Sequence, residues 1–372
     1  MCKTLIEIEN ILSDRLSNEL NNQFFFQLSG NHPELPAIEV FSILTGEEFQ
    51  YSVLERERQF ILLNCSELAA YRTAKRAAYC RRSVELLYHS SVDSKTTKEI
   101  ADSISTKINF QNLLQKKDRF KVRVYRIGNA HEHHISMNLE KAIGDIIWDQ
   151  TNGNCKADLK DPTITFVLLF TEKEFYFGKQ IYARQKGSFT DRRPDLRPFF
   201  KPGTLEPRFA RLMVNLSRAK PGEYLLDPFC GPGGILIEGA IIGCKVLGSD
   251  LDKRMVKGAQ KNIIHYSPSM SDGFVISDAK QLPFINKIKS IATDPPYGRS
   301  TSTYGKEIED LLIKFFENAS TILRKDGIIA IGMFEEVPLQ EIVEKTGYQL
   351  EHFEKIYIHR SLTRRIGVCR LK

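Results

Sequence analysis

The second half of the chain alternates short apolar segments with helical ones, and this alternation constrains the fold more than any other feature. Successive strand and helix patterns of this kind build a parallel sheet whose crossovers are right-handed. The last two segments can instead pair as an antiparallel hairpin. We therefore predict a mostly parallel, seven-stranded α/β sheet with a terminal antiparallel hairpin. In chain order, the strand-like segments after residue 222 are YLLD, KVLGSD, GFVISD, IKSIATD, IIAIGMF, YQLEHFEKIYIH and IGVCRLK.

The first half of the chain contains weaker patterns that suit smaller modules of mixed helices and strands. Residues 3–21 carry leucine and isoleucine at spacings of three and four, which predicts one amphipathic helix. The run FILLNC is the clearest buried strand, and we expect Trp148 and the run Phe24 to Phe26 in the core. Between about 82 and 180, the strand-like segments are KVRVYRIG, DPTITFVLLF and EFYFGKQ, and LEKAIGDIIWDQ is helical.

Composition excludes several classes of protein. Hydrophobic residues make up 42% and charged residues 27%, so a disordered or fibrous chain is not expected. The seven cysteines are scattered without a CxxC pair, which argues against a disulfide framework or a zinc ribbon. No apolar run approaches the ~20 residues of a membrane span, and the first residues lack the apolar core of a signal peptide. We therefore expect a cytoplasmic protein without a membrane partner.

Positive charge is concentrated in three stretches of the sequence. The chain has a net charge of +7, which favours an anionic partner. Residues 116–126, the proline-rich stretch 179–220 and the C-terminal tail are each rich in lysine and arginine. Together they could follow a phosphate backbone, although each stretch alone is more often just a solvated face. The tail residues are Arg360, Arg364, Arg365, Arg370 and Lys372, with no acid among them.

A glycine-rich loop, DPFCGPGG at residues 227–234, joins the first strand of the predicted parallel sheet to a helix. It lacks the third glycine of a dinucleotide motif and the GK[ST] of a P-loop, so a phosphate cradle is not indicated. Asp250 and Asp278 end the next two strands, where an acid can accept hydrogen bonds from ribose hydroxyls. Three acids beside such a loop suit a nucleoside ligand with a positive charge, as in S-adenosyl-L-methionine. Tight strand-to-helix packing with capping aspartates is the alternative.

The sequence DPPYG begins at Asp294, directly after the fourth predicted strand. An exocyclic amine on a nucleobase is a poor nucleophile, because its lone pair is delocalised into the ring. The Asp294 carboxylate and the Pro295 carbonyl could accept its two N–H hydrogens and direct the lone pair at a methyl carbon. Tyr297 could stack on the base. The alternative is a Pro-Pro turn with a capping aspartate and a core tyrosine.

These motifs carry a family resemblance. DPFCGPGG, SDLD, SDA and DPPYGRS resemble the class I methyltransferases that modify amino groups, whose catalytic domain is Rossmann-like. The whole chain is similar to the archaeal THUMP-containing tRNA (guanine(10)-N2)-methyltransferases. The match is specific from about Arg193 to Lys372 and rests on weaker features before that. The resemblance implies an N-terminal helix plus ferredoxin-like domain at 1–80, a THUMP RNA-binding domain at 81–180, a basic linker at 181–200 and a methyltransferase domain at 201–372.

The resemblance also implies roles for individual residues. We expect Asp294, Pro295 and Tyr297 to be catalytic, with Tyr297 also contacting the target guanine. Further contacts to the substrate are expected from Arg192, Arg193, Lys121 and Arg123. The cofactor S-adenosyl-L-methionine would be bound by Asp227, Gly231, Gly233, Asp250 and Asp278.

The implied activity is methylation of the N2 amino group of a guanosine in tRNA, most simply guanosine 10. Other nucleic-acid amino groups remain open: guanosine 6 of tRNA, a guanine of ribosomal RNA, or adenine in DNA. A DNA enzyme would usually carry a separate target-recognition domain, so DNA is not the expected partner. We expect a monomer, with any protein partner undetermined. His131, His133 and His134 lack the other ligands of a metal site and are expected at the surface, so no metal is predicted.

Overall fold

The computed structural model describes residues 22–93, 95–128, 136–270, 273–284, 287–296, 302–359 and 362–372. The predicted helix at residues 3–21 lies outside these ranges. The described helices are α1 (Leu35–Gly46), α2 (Glu67–Arg76), α3 (Thr97–Lys107), α4 (Ser136–Gln150), α5 (Pro207–Leu216), α6 (Gly234–Ile241), α7 (Lys253–Tyr266), α8 (Ser302–Ile322) and α9 (Leu339–Lys345). The described strands are β1 (Asn22–Leu28), β2 (Tyr51–Glu57), β3 (Phe60–Cys65), β4 (Cys80–Ser91), β5 (Arg119–Arg126), β6 (Lys156–Ala157), β7 (Ile164–Phe170), β8 (Glu174–Ala183), β9 (Tyr224–Asp227), β10 (Lys245–Asp250), β11 (Phe274–Ile276), β12 (Ile288–Thr293), β13 (Leu323–Phe334), β14 (Tyr348–His359) and β15 (Leu362–Leu371).

The chain forms two compact units, and the chain passes between them more than once. The first unit contains the described residues up to Gly30 and the segments Gln50–Lys75 and Cys80–Arg184. The second contains Asn31–Phe49, Arg76–Tyr79 and everything from Gln185 onward. Two short pieces of the N-terminal region thus belong to the second unit. The predicted domain borders at 80, 180 and 200 assign these pieces to the N-terminal domain. The borders stay a prediction.

The first unit is built on an eight-stranded sheet in the order β2-β3-β1-β4-β8-β7-β5-β6. In chain order the elements β1, α1, β2, β3, α2 and β4 follow one another as in a ferredoxin-like β-α-β-β-α-β motif, which agrees with the predicted fold, although α1 belongs to the second unit. Helix α3 begins with a capping box, in which Thr96 and Glu99 each accept a backbone N–H of the other. β5 and β7 pair in parallel, whereas β8 is antiparallel to both β7 and β4.

Helices α3 and α4 cover one face of this sheet and bury its apolar side chains. Ile104 and Ile143 of the helices pack in one core with Phe120 and Phe166 of the strands. The run Phe24 to Phe26 is fully buried, as predicted. The prediction for Trp148 is wrong, because its side chain is 46% exposed. Its indole lies against Gly153, in the turn after α4. The helical period does not reveal such a contact.

The second unit is a seven-stranded sheet in the order β11-β10-β9-β12-β13-β15-β14. Strands β9 to β13 pair in parallel, and β15 pairs antiparallel with both β13 and β14. This is the predicted sheet with its terminal hairpin. Chain order reverses between β9 and β12, so the carboxyl ends of these two strands border the crevice where such sheets bind ligands.

The N-terminal pieces of the second unit are part of its core. Helix α1 is buried along almost its whole length, and it begins with proline in its first turn. Its Leu35 and Ile38 pack in one cluster with Ala78, Tyr79, Phe209 and Met213. A second cluster on the sheet joins α8 and α9 through Phe315, Phe316 and Ile342. The core of the second unit therefore includes residues from far upstream in the chain. Of the described helices, none is long and apolar enough to cross a membrane.

Candidate active site

A cavity of about 520 Å³ lies at the carboxyl edge of the second sheet, around the switch between β9 and β12. The sequence predictions converge there. Among its lining residues are the predicted Asp227, Gly231, Asp250, Asp278, Asp294 and Pro295, together with Phe229, Leu251, Met255 and Arg364. These residues lie up to 137 positions apart in the chain and meet because parallel strands end at the same edge. The structure therefore brings most of the predicted site together.

The glycine loop owes its shape to two residues in the left-handed region. Gly231 has φ of 49° and Gly233 has φ of 83°, conformations that other residues rarely adopt. Nothing lies within 4 Å of where a Cβ on Gly231 would stand, so its backbone is open toward the cavity. Gly233 is the N-cap of α6, and a Cβ there would lie 3.1 Å from Ala259. Gly233 is absent from the cavity wall and allows close packing of α7 instead.

Asp250 and Asp278 each hold a backbone turn while facing the cavity. Asp250 accepts the N–H of Gly231 at 3.0 Å, which ties the end of β10 to the glycine loop. Its other oxygen accepts the N–H of Asp252 at 2.9 Å. Asp278 accepts the N–H of Lys280 at 2.9 Å and its side chain is 35% exposed. Each carboxylate has further lone pairs available for a ligand's hydroxyl or amino hydrogens.

Asp227 is buried at the end of β9. It accepts hydrogen bonds from the Thr293 hydroxyl at 2.7 Å and from the N–H of Phe229 at 3.1 Å. Burial, together with the nearby carboxylates of Asp294 and Asp250, raises the pKa of Asp227 to about 7. The side chain therefore changes charge near neutral pH. A cation in the cavity would favour its ionised form.

Asp294 follows β12 and is held by an arginine. Arg364 of β15 donates from Nη1 to Oδ2 of Asp294 at 2.6 Å, and the two side chains are 10% and 14% exposed. Pro295 is buried and Pro296 is exposed, and both line the cavity. Tyr297, the remaining predicted catalytic residue, lies outside the described residues. The described part of the motif, Asp294 to Pro296, thus lies at the cavity wall.

The two predicted tRNA-binding arginines of the linker have different environments. Arg192 donates from Nε to Glu238 at 2.8 Å, its side chain is 12% exposed, and Glu238 is fully buried. Arg211 also pairs with Glu238, at 2.7 Å. Arg193 is 55% exposed and pairs with Asp195, two residues later, at 3.0 Å. Arg192 is therefore committed to the protein interior, whereas Arg193 is available at the surface.

Lys121 and Arg123 lie on β5 of the first unit. Lys121 is half-buried, and Arg123 pairs with Glu140 of α4 at 2.9 Å. His131, His133 and His134 lie outside the described residues. Within the described ranges, no group of three histidine, cysteine, aspartate or glutamate side chains could hold a metal ion.

Two parts of the site were missed by sequence reasoning. The segment from Lys201 to Leu205 forms part of the cavity wall, although it was predicted only as the start of a domain. Arg364 was counted with a basic tail that contains no acid of its own. Strand pairing supplies the acids: Arg365 pairs with Glu335, and Arg370 with Glu351. These partners are distant in sequence, so a local count of charges could not reveal them.

Family models match two separate parts of the chain. Residues 194–366 match the family model described as the RMKL-like methyltransferase domain, and residues 95–178 match the THUMP domain. The chain is 34% identical over 342 residues to the tRNA (guanine(10)-N2)-dimethyltransferase of Methanothermobacter thermautotrophicus, covering 92% of this chain and 97% of that protein. It is 31% identical to the protein of the same name from Methanocaldococcus jannaschii, with 92% and 98% covered.

The fold is also similar to that of a solved structure. TrmN from Thermus thermophilus aligns with a TM-score of 0.53 and 19% identity, over 94% of this chain and all of that one. At this identity the likeness concerns the fold alone. It extends across both units of the chain, so the succession of an N-terminal module and a methyltransferase sheet is shared.

Proposed function

The chain belongs to the tRNA (guanine(10)-N2)-dimethyltransferase family, and from this premise we propose that it transfers methyl groups from S-adenosylmethionine to the N2 nitrogen of guanosine 10 in tRNA, once or twice. One observation carries the proposal. Asp294 and Pro295 line the same cavity as the glycine loop, Asp250 and Asp278. The residues that suit an amino group thus border those that suit the cofactor.

The cavity residues fit S-adenosylmethionine. The volume of about 520 Å³ lies within the range of ~300–1,000 Å³ typical of small-molecule sites. The backbone at Gly231 is open to the cavity, and Asp250 and Asp278 offer acceptors for ribose hydroxyls and an adenine amino group. Asp227, when ionised, adds negative charge that favours a sulfonium and an ammonium group. Gly233 contributes by shaping the loop rather than by contact.

The chemistry assigned to the protein is orientation of a weak nucleophile. When bound, the cofactor supplies the electrophilic methyl carbon. Asp294 and the Pro295 carbonyl each accept one N–H of the guanine amino group, which draws the lone pair out of conjugation. Pro296 restricts Pro295 to an extended backbone and so holds its carbonyl in place. After transfer the nitrogen must lose a proton, and the carboxylate that already accepts its N–H is the nearest acceptor. Tyr297 is proposed to stack on the base.

The proposed tRNA contacts come from basic residues that are at least partly exposed. Arg193, Lys121 and Arg123 can bind phosphates, which gives affinity that depends on salt and carries little sequence information. Arg192 is withdrawn from this set, because its guanidinium is engaged with buried Glu238. Its proposed role is to stabilise the segment before α5. The cytoplasmic location and the monomeric state stay predictions.

Methyl incorporation into defined transcripts tests the proposal. The full-length protein is incubated with methyl-labelled cofactor and an unmodified tRNA, or with the same tRNA carrying adenosine at position 10 and a compensating partner. We expect label only in the first transcript. Equal label in both would place the target elsewhere, for instance at guanosine 6. Label in ribosomal RNA or DNA, but not in tRNA, would contradict the proposal.

A further inference from the structure

Arg364 occupies a position in the cavity that the methyl transfer described above does not explain. Its guanidinium donates to Asp294 at 2.6 Å, and both side chains line the same wall. Strand β15 runs antiparallel to β13, with Arg364 opposite Phe334, the last residue of β13. An antiparallel strand thus begins at the edge where the parallel strands end. This topology places a cation from the end of the chain next to the motif after β12.

The Asp294 and Pro295 acceptors alone do not select guanine. Two acceptors can bind the N–H hydrogens of any exocyclic amino group, including that of adenine. Guanine presents an acceptor at O6 and donors at N1 and N2 along one edge, whereas adenine presents a donor at N6 and an acceptor at N1. A site that reads guanine therefore needs a donor, an acceptor and a second acceptor in a row. Enzymes that act on flipped bases commonly read this edge.

We propose that Arg364 is the residue that selects guanine, by donating to O6 while Asp294 accepts from N1–H and N2–H and Pro295 accepts the second N2–H. This inference rests on the proposed function. Arg364, Asp294 and Pro295 supply donor, acceptor and acceptor in the order that matches guanine. The carboxylate of Asp294, in its ion pair with Arg364, accepts hydrogen bonds and has no hydrogen to donate to an acceptor such as adenine N1. Adenine would place its N6 hydrogens against the guanidinium.

A base analogue separates recognition of O6 from recognition of the amino group. A tRNA with 2-aminopurine at position 10 retains the 2-amino group but lacks O6 and N1–H. We expect the wild-type enzyme to prefer guanosine over 2-aminopurine by roughly 10- to 100-fold in kcat/KM, the range expected for lost charged hydrogen bonds. Arg364→Ala should reduce kcat/KM on guanosine and lower this preference at least several-fold, and the part of the preference that remains comes from N1–H, which Asp294 accepts. Arg364→Lys, which keeps a donor and a charge, should retain an intermediate preference.

Controls keep this test separate from folding and from the proposed function. Arg365→Ala changes the next residue of the same strand, whose partner is Glu335 outside the cavity wall, and should leave the preference unchanged. Cofactor affinity measured by calorimetry should be the same in all variants. A preference that stays at its wild-type value in Arg364→Ala, or activity lost on both substrates in Arg364→Ala and Arg364→Lys with cofactor binding intact, would overturn the inference. Absence of N2 methylation by the wild type would instead contradict the proposed function.

Discussion

The side-chain amide of Asn215 donates to Glu39 at 2.7 Å, although 176 residues separate the two in the sequence. Both side chains are fully buried. The same carboxylate accepts the backbone N–H groups of Ala78 and Tyr79, at 2.6 and 2.8 Å. Arg76 belongs to the same cluster, because its Nε donates to the side-chain oxygen Oδ1 of Asn215 at 2.8 Å. Within the second unit, buried polar contacts thus join Asn215 of α5 to two segments that precede the THUMP match.

We therefore predict that residues 185–372 do not form a stable unit on their own. That fragment lacks α1 and Arg76–Tyr79, which exposes the apolar side of α5 and leaves Asn215 without its buried partners. The fragment should be aggregated or unfolded when its melting is followed by circular dichroism. A cooperative transition at the temperature of the full-length protein, together with cofactor binding, would contradict this expectation.

A single substitution tests the same cluster. Glu39→Gln retains the size of the side chain but replaces an acceptor oxygen by a donor NH₂ that faces backbone N–H groups. We expect a loss of about 2–4 kcal/mol in the free energy of unfolding, since buried donors are left unsatisfied. Glu336→Gln, at an exposed position, is the matched control and should change stability little. Equal effects of the two substitutions in denaturant titrations would argue against a structural role for Glu39.

Asp294→Ala is predicted to remove activity while leaving the cofactor site intact. The carboxylate acts on the amino group of the base, so kcat/KM should fall by at least ~100-fold, as for the loss of a preorganised group in an active site. Cofactor affinity measured by calorimetry should stay within a few-fold of wild type. Complete loss of cofactor binding in a folded variant would show that Asp294 belongs to the cofactor site instead.

Cofactor affinity is predicted to depend on pH through Asp227. Burial raises the pKa of this side chain to about 7, so it is mostly neutral at pH 6 and mostly ionised at pH 8 in the free protein. A positively charged cofactor binds the ionised form better, and its affinity should therefore rise through neutral pH. Asp227→Asn keeps the size of the side chain without the charge and should flatten this rise. The two proteins are compared by calorimetry at several pH values, and parallel profiles would contradict the assignment.

Substitutions of the two linker arginines are predicted to affect different properties, tRNA binding for Arg193 and stability for Arg192. Arg193→Glu should weaken tRNA binding by several-fold at ~50 mM salt and much less at ~200 mM, because exposed charges act through a screened field. Arg192→Glu should instead lower the melting temperature, since it places a second carboxylate beside buried Glu238. Filter binding and thermal melts of both variants measure these effects. A large loss of tRNA affinity in a normally stable Arg192→Glu protein would restore Arg192 as an RNA contact.

The parallel sheet and its acidic residues could be predicted because their signals are local. Each strand before Asp227, Asp250 and Asp294 is a short apolar run, and a parallel sheet brings the ends of such runs to one edge. All seven strands predicted for the second half are present, although β13 and β15 begin four to five residues earlier than predicted. The function class followed from the DPPYG motif, whose chemistry is contained in consecutive residues.

The parts that were missed depend on contacts between distant segments. Glu39 and Asn215 carry no pattern that links them, and α1 is apolar on several sides, so its place could not be read from periodicity. Arg364 was taken for part of a basic tail because its acid, Asp294, lies 70 residues away. Strand pairing determines which charged residues meet, and this pairing cannot be derived from a single sequence.

The identity of the product nucleoside is the most direct test of the account. Unmodified tRNA is treated with the enzyme and cofactor, cut to nucleosides and site-specific fragments, and analysed by mass spectrometry. We predict N2-methylguanosine and N2,N2-dimethylguanosine at position 10, because in the proposed mechanism Asp294 and Pro295 hold the amino nitrogen. A methyl group on a ring nitrogen, on adenine, or at another position only would contradict the account.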